Sequence, residues 1–194
     1  MPDRIETLRD RIRDLQRQMD EEWEARRAAL RIHVERGRVR FEDEVRRRHR
    51  AARIRWRDFL AQTRPLVVLT APVIYGLIVP LVLLDIAVNL YQLICFPVYG
   101  IPRVPRRDFI AIDRHHLAYL NALQKLNCVY CGYANGLIAY VREVASRTEA
   151  YWCPIKHARR LRGTHERYAD FMDYGDEDRF VEKWAESRAR LRQE

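Results

Sequence analysis

The sequence predicts an all-α membrane protein with three parts. These are a basic N-terminal helical arm, a membrane helix or re-entrant helical hairpin, and a small helical C-terminal domain built on a metal knuckle. Three observations carry this. First, the nineteen residues from Leu66 to Leu84 carry no charge, which matches the length and composition of a bilayer span. Second, charge lies on both sides of that run. Residues 1–65 hold 19 basic and 13 acidic side chains and residues 102–194 hold 17 and 13, while residues 66–101 hold only Asp85, in a chain of 194 residues and net charge +9. Third, Cys128, Cys131 and Cys153 follow the apolar run, with His157 close behind.

These observations divide the chain into residues 1–64 (arm with a juxtamembrane helix), 65–101 (membrane segment), 102–165 (Cys/His knuckle domain) and 166–194 (charged amphipathic tail). Residues 1–30 lack the apolar core of a signal peptide, so the apolar stretch is expected to act as the insertion signal.

Residues 1–31 predict a helix. Ile5, Leu8, Ile12, Leu15 and Met19 recur at spacings of three and four, with charges between them. The seam lasts about two to three heptads, short for a coiled coil on its own. It fits a solvated helix or one that self-associates. Residues 32–42 read two ways. Ile32, Val34, Val39 and Phe41 alternate around Gly37 as in a hairpin, and a helix running on toward Val45 is the favoured alternative. Residues 46–64 are a basic run. Arg46, Arg47, Arg48, Arg50, Arg53, Arg55 and Arg57 interleave with Trp56 and Phe59, as in a juxtamembrane interfacial helix on the cytoplasmic side. Such a basic excess beside a membrane segment points to anionic lipid headgroups rather than to RNA or DNA.

A single helix over residues 66–99 would measure about 50 Å at 1.5 Å per residue, against about 30 Å of hydrocarbon. Basic residues on the far flank (Arg103, Arg106, Arg107) and the break points Pro72 and Pro80 favour a hairpin or re-entrant pair turning near Gly76–Pro80. The alternative is a single crossing from Leu66 to Leu84 followed by an interfacial helix. Asp85, Asn89 and Gln92 fall on one helix face. That face is expected to meet headgroups or another helix, with a polar site for a proton, quinone or headgroup as the sharper reading. Residues 96–109, rich in proline, predict an extended linker.

Residues 113–126 predict a helix with Asp113 as N-cap and Leu117, Leu120, Leu123 and Leu126 on its buried face. Cys128-Val-Tyr-Cys131-Gly132 follows, the spacing of a knuckle that aims two thiolates at one centre. With Cys153 and His157 it makes a Cys₃His set suited to tetrahedral Zn²⁺, and iron could use the same ligands. His115 or His116 could replace His157. A helix over Leu137–Thr148 is expected to pack behind the site. The tail, Glu177–Glu194, predicts an amphipathic helix carrying Phe180, Val181, Trp184 and Leu191.

The sequence holds no phosphate loop, no HExxH and no recognisable nucleophile–base motif. The expected function is therefore a membrane-anchored, zinc-binding scaffold or adaptor without catalytic activity. Its partners would be the bilayer and either another protein or a second copy held through the N-terminal helix. The alternative is a redox or electron-transfer membrane component with iron at the cysteines.

Six stretches resemble a family of small bacterial inner-membrane proteins. They are Ala71-Pro-Val-Ile-Tyr-Gly76, Cys95-Phe-Pro-Val-Tyr-Gly-Ile-Pro102, Ile112-Asp-Arg-His-His-Leu-Ala-Tyr-Leu-Asn121, Cys128-Val-Tyr-Cys-Gly132, Asn135-Gly-Leu-Ile-Ala-Tyr-Val141 and Tyr151-Trp-Cys-Pro-Ile-Lys-His157. The similarity covers roughly residues 65–165 and omits the arm and the tail. It implies a bacterial source and an inner-membrane location, while the basic flanks predict that the soluble parts face the cytoplasm. It lends no catalytic or binding residue.

Overall fold

The computed structural model describes residues 4–29, 32–35, 38–41 and 43–193. The architecture is helical apart from one short hairpin.

Helix α1 (Arg4–Ala29) is held by local ion pairs three and four residues apart, among them Arg13–Asp10 at 2.8 Å and Arg27–Glu24 at 2.7 Å. Its seam residues Leu8, Ile12, Leu15 and Met19, together with Trp23, are all more than half exposed. The Ile5 side chain lies outside the described residues.

The favoured helix over residues 32–42 is not what forms. Strands β1 (Ile32–Glu35) and β2 (Arg38–Phe41) pair antiparallel, Ile32 opposite Phe41 and Val34 opposite Val39. Each strand finds its partner in its immediate neighbour in the sequence, and Ile and Val have high strand propensity. Gly37 lies outside the described residues. Helices α2 (Asp43–Ala51) and α3 (Trp56–Gln62) follow, neither with a buried side chain.

The apolar stretch forms α4 (Pro65–Gly76) and α5 (Ile78–Tyr99), joined through Leu77 in right-handed helical geometry. The chain does not turn back here, so the hairpin expectation is corrected. Pro80 has no N–H for the Gly76 carbonyl, which interrupts the ladder without reversing it. The helical stretch from 65 to 99 is long and apolar enough to cross a membrane, and its most apolar window is unburied. Helix α5 runs through Pro97 and ends at Gly100, whose φ is +70°. The Ile101 N–H bonds the Phe96 carbonyl at 3.0 Å and the Gly100 N–H bonds Pro97 at 3.2 Å. Both Phe96 and Ile101 are buried. This is a Schellman closure with its apolar contact, and a left-handed residue is what makes it available to glycine.

Helix α6 (Ala122–Trp152) is 31 residues long. The helix predicted from Asp113 begins instead at Ala122, after a single 3₁₀ turn at Arg114–His116. Asn121 and Gln124 form a reciprocal capping box, both bonds 3.0 Å, which satisfies two donors that Asp113 leaves unmet. Leu126 is exposed.

Helices α4–α5 and α6 run parallel. Tyr130 Oη donates to the Ile74 carbonyl at 2.7 Å, Tyr133 meets Asp85, Tyr91 meets Thr148 at 2.9 Å, and Tyr99 stacks on Tyr151 at 4.7 Å. A parallel pair needs a return segment, and residues 100–121 supply it. This connector passes Gln92 at Val104 and Asp85 at Arg106, then crosses α6 at Gly136 and Gly132. A Cβ on Gly136 would lie 2.7 Å from the Phe109 carbonyl oxygen and 2.9 Å from Ile110 Cα. Only glycine admits that approach.

The tail helix α7 (Phe180–Leu191) docks on the C-terminal end of α6. Ser187 donates to the Ala150 carbonyl at 2.7 Å, and Trp184 and Arg188 donate to Tyr151 at 2.8 and 3.0 Å. These are carbonyls a helix end leaves without partners. The Arg188 guanidinium also lies 3.6 Å from the Trp184 ring centre. The core joins Phe96, Ile101, Val104, Leu137, Tyr140, Val144, Ala150, Phe171 and Leu191.

Candidate functional site

The four proposed metal ligands are not brought together. Cys128 and Cys131 lie inside α6, where i and i+3 share a face without any knuckle turn. Gly132 serves the crossing connector, since a Cβ there would meet the Ala111 carbonyl oxygen at 3.0 Å. Cys153 ends the helix 22 residues after Cys131, about 33 Å along the axis. His157 does not stand a helical turn above Cys153. The chain is extended at Pro154–Ile155, where Ile155 bridges to Met172. The exposed His157 stacks beside Tyr168 with ring centres 6.2 Å apart. His115 and His116 share the 3₁₀ turn, ring centres 4.0 Å apart. Among the described residues no group of three or more His, Cys, Asp or Glu side chains could hold a metal ion. The Cys₃His set expected for zinc or iron is therefore not assembled.

The predicted basic residues are all exposed. Arg46, Arg47, Arg48 and Arg50 lie on α2, Arg53 and Arg55 between α2 and α3, and Arg57 on α3 beside the Trp56 ring at 5.4 Å. His49 of α2 meets Tyr119 of the connector edge-on at 5.0 Å, which ties this basic helix to the body.

Asp85, Asn89 and Gln92 do share a face, and it meets α6 and the connector. The Asp85 carboxylate accepts from Arg106 at 2.6 and 3.0 Å, from Tyr133 at 3.0 Å and from Asn89 at 2.7 Å. Tyr140 donates to Asn89 at 3.0 Å, and Gln92 donates to the Tyr140 hydroxyl. The Val104 N–H donates to Gln92 Oε1 at 3.0 Å. The Asp85 side chain is 12% exposed and that of Arg106 43%. Asp85, Asn89 and Gln92 thus each have a partner. Arg106 is the residue the sequence reading missed. It lies 21 positions away in a proline-rich loop, and only the return of the connector brings it to Asp85.

A second charged cluster lies farther along α6. Glu143 accepts from Arg147 and from Arg167, both at 2.8 Å, and His165 Nε2 lies 2.9 Å from Glu149. Burial alone would raise the Glu143 carboxyl, but the Arg167 and Arg147 hydrogen bonds outweigh it and hold the group below its ordinary value. An open cavity of about 850 Å³ adjoins this cluster, lined by Arg142, Glu143, His165 and Arg167 among others. A further cavity of about 950 Å³ follows at residues 156–168.

No family model, curated protein or solved structure matches this chain.

Proposed function

We propose that the chain is a membrane-anchored adaptor without catalytic activity, held in one leaflet of the membrane on its cytoplasmic face. The observation that supports this reading is the course of the connector along the apolar helix. From the level of Ile74 to Tyr99, α4–α5 has α6 and residues 100–121 at its side. That connector carries the exposed, charged residues Arg103, Arg107, Asp108, Asp113 and Arg114. Irregular backbone and free charge do not sit against lipid in the hydrocarbon layer. Only residues 65–73 project clear of these neighbours, about 14 Å of helix, half of what a crossing needs.

The other faces of the same helix are apolar and exposed. They include Val79, Val82, Leu83, Ile86, Leu90, Leu93, Ile94 and Val98. A helix polar on one side and apolar on the rest lies in the interfacial plane. The exposed arginines of α2 and α3 sit just before it, placed to meet anionic headgroups. With the core and the anchor so committed, the exposed seam of α1 is the surface left to engage a second copy or another protein.

The test is thiol labelling in sealed vesicles. Cys131 and Cys153 are exposed near opposite ends of the α6–α5 pair. In a variant retaining only these two cysteines, an impermeant maleimide labels both from the cytoplasmic side and neither from the other. Labelling of either from the far side would sink the one-leaflet reading.

A further inference from the structure

We propose that residues 156–168 form a binding site for a phosphate-bearing anion. The cavity of about 950 Å³ is walled by Lys156, His157, Arg159, Arg160, Arg162 and Tyr168, and no carboxylate lines it. Lys156 is partly committed to Asp173 at 2.8 Å. Arg159, Arg160 and Arg162 are exposed, and none meets a carboxylate among the described residues. Three guanidinium groups within four residues repel one another, and an anion between them relieves that repulsion. Other arginines are neutralised by neighbouring carboxylates: Arg17 by Asp14 on α1, Arg147 by Glu143 on α6 and Arg179 by Glu182 at the start of α7.

The cavity is framed by fixed backbone. The Lys156 N–H bonds the Met172 carbonyl at 2.7 Å, and the Met172 N–H bonds Pro154 at 2.8 Å. The His157 N–H donates to the Tyr168 hydroxyl at 2.6 Å, and Arg142 donates to the Thr164 carbonyl. Both ends of the loop are therefore held, and Gly163 with φ +69° makes the turn between them. Guanidinium forks on a held loop suit the paired oxygens of a phosphate. The cavity leaves room for a phosphate that carries a second phosphoryl group or an organic moiety.

The location makes a lipid headgroup one source of that phosphate. The loop leaves the end of α6 beside Tyr99, Tyr151 and the half-exposed Trp152, which cluster at the end of the apolar helix. Aromatic groups of this kind mark the headgroup level of a membrane. A soluble diphosphate is the other source.

The experiment is calorimetric titration of the full chain in neutral detergent at low salt, with pyrophosphate and with dioctanoyl phosphatidic acid as probes. The Arg159→Ala/Arg160→Ala/Arg162→Ala variant should bind at least tenfold more weakly. A second variant, Arg13→Ala/Arg17→Ala/Arg27→Ala, removes equal charge from α1, which takes no part in the site, and should bind as the parent does. Binding of both probes supports the site with phosphate itself as the recognised group. Binding of the lipid alone supports it with a headgroup as the source. No binding of either probe, or equal weakening by the two variants, overturns the proposal. Should the first variant fail to keep its helical circular dichroism, Arg160→Gln/Arg162→Gln makes the same comparison with less disturbance. The anion site does not depend on one-leaflet anchoring, since the titration in detergent reads binding without a bilayer.

Discussion

Helices α5 and α6 run side by side for most of their length and divide the labour of the fold unequally. Helix α5 is the more apolar, yet its buried residues are Asp85, Gln92 and Phe96. Helix α6 is mixed in composition, yet it buries Leu137, Tyr140, Val144 and Ala150. In a water-soluble protein the more apolar helix would be the more buried. The inversion fits the proposed membrane reading, in which α5 turns its few polar groups inward to protein partners and leaves its apolar surface to the bilayer.

Substitutions on the two helices should therefore fail in different assays. Val82→Gln/Leu83→Gln/Ile86→Gln on α5 removes apolar surface that is exposed in the fold. Vesicle flotation should show membrane partition weakened by at least roughly 100-fold, with thermal unfolding in detergent nearly unchanged. Leu137→Ala on α6 should do the reverse, costing about 3 kcal/mol of stability while the fraction of folded protein still floats. If the α5 variant unfolds and still floats, the division drawn between the two helices is wrong.

The glycines sharpen the same contrast. Gly136→Ala places a Cβ against the connector backbone and should cost about 2 kcal/mol by overpacking. A Cβ on Gly76 meets nothing within 4 Å. Gly76→Ala should then be neutral or gain up to about 1 kcal/mol of helix propensity. Chemical denaturation of the two single variants checks both signs.

How much of this was readable in the sequence depends on how local each cause is. The uncharged run to Leu84, the shared face of Asp85, Asn89 and Gln92, the arm helix and the tail helix are periodic patterns within one element. Each forms as read. The partner of Asp85 is not local, because Arg106 arrives only through a parallel helix pair that no periodicity announces. The cysteines show a different failure. Two residues between thiols is knuckle spacing, and it is also one helical turn. The deciding signals were present around it: Asn121 and Gln124 at capping-box spacing, no proline from Ala122 to Trp152, and Gly132 and Gly136 four apart on one face. Together they describe a single long helix crossed by backbone, which separates Cys131 from Cys153 by its own length.

Asp85→Asn tests whether the polar seam or the apolar surface holds the two helices in parallel. The substitution keeps the shape and leaves the Arg106 guanidinium without its anion. Arg106 is partly exposed and water can take over some of the loss, so the cost should be about 1–2 kcal/mol. Arg106→Gln should cost the same or slightly less, and the double variant little more than either alone, since both remove one interaction. Additive costs would mean that Tyr133 and Asn89, rather than the ion pair, set the position of α5.

The smallest effect expected is in the charged cluster farther along α6, and its sign is set by Glu143. Its carboxyl is held below the ordinary value of 4.5 in the folded chain. The unfolded chain therefore binds the proton first as pH falls. The stability this group contributes is complete above about pH 4.5 and is lost as pH drops through the folded value. Other carboxylates titrate in the same range, so the reading must be a difference. The stability gap between the parent and Glu143→Gln should be widest near pH 6 and should close toward pH 3, where both side chains are neutral. A gap that stays constant across that range would mean that Arg147 and Arg167 hold the shape of the residue and not its charge. The cluster would then owe its stability to packing, as the buried part of α6 does, and not to the ion pairing that organises the α5 face.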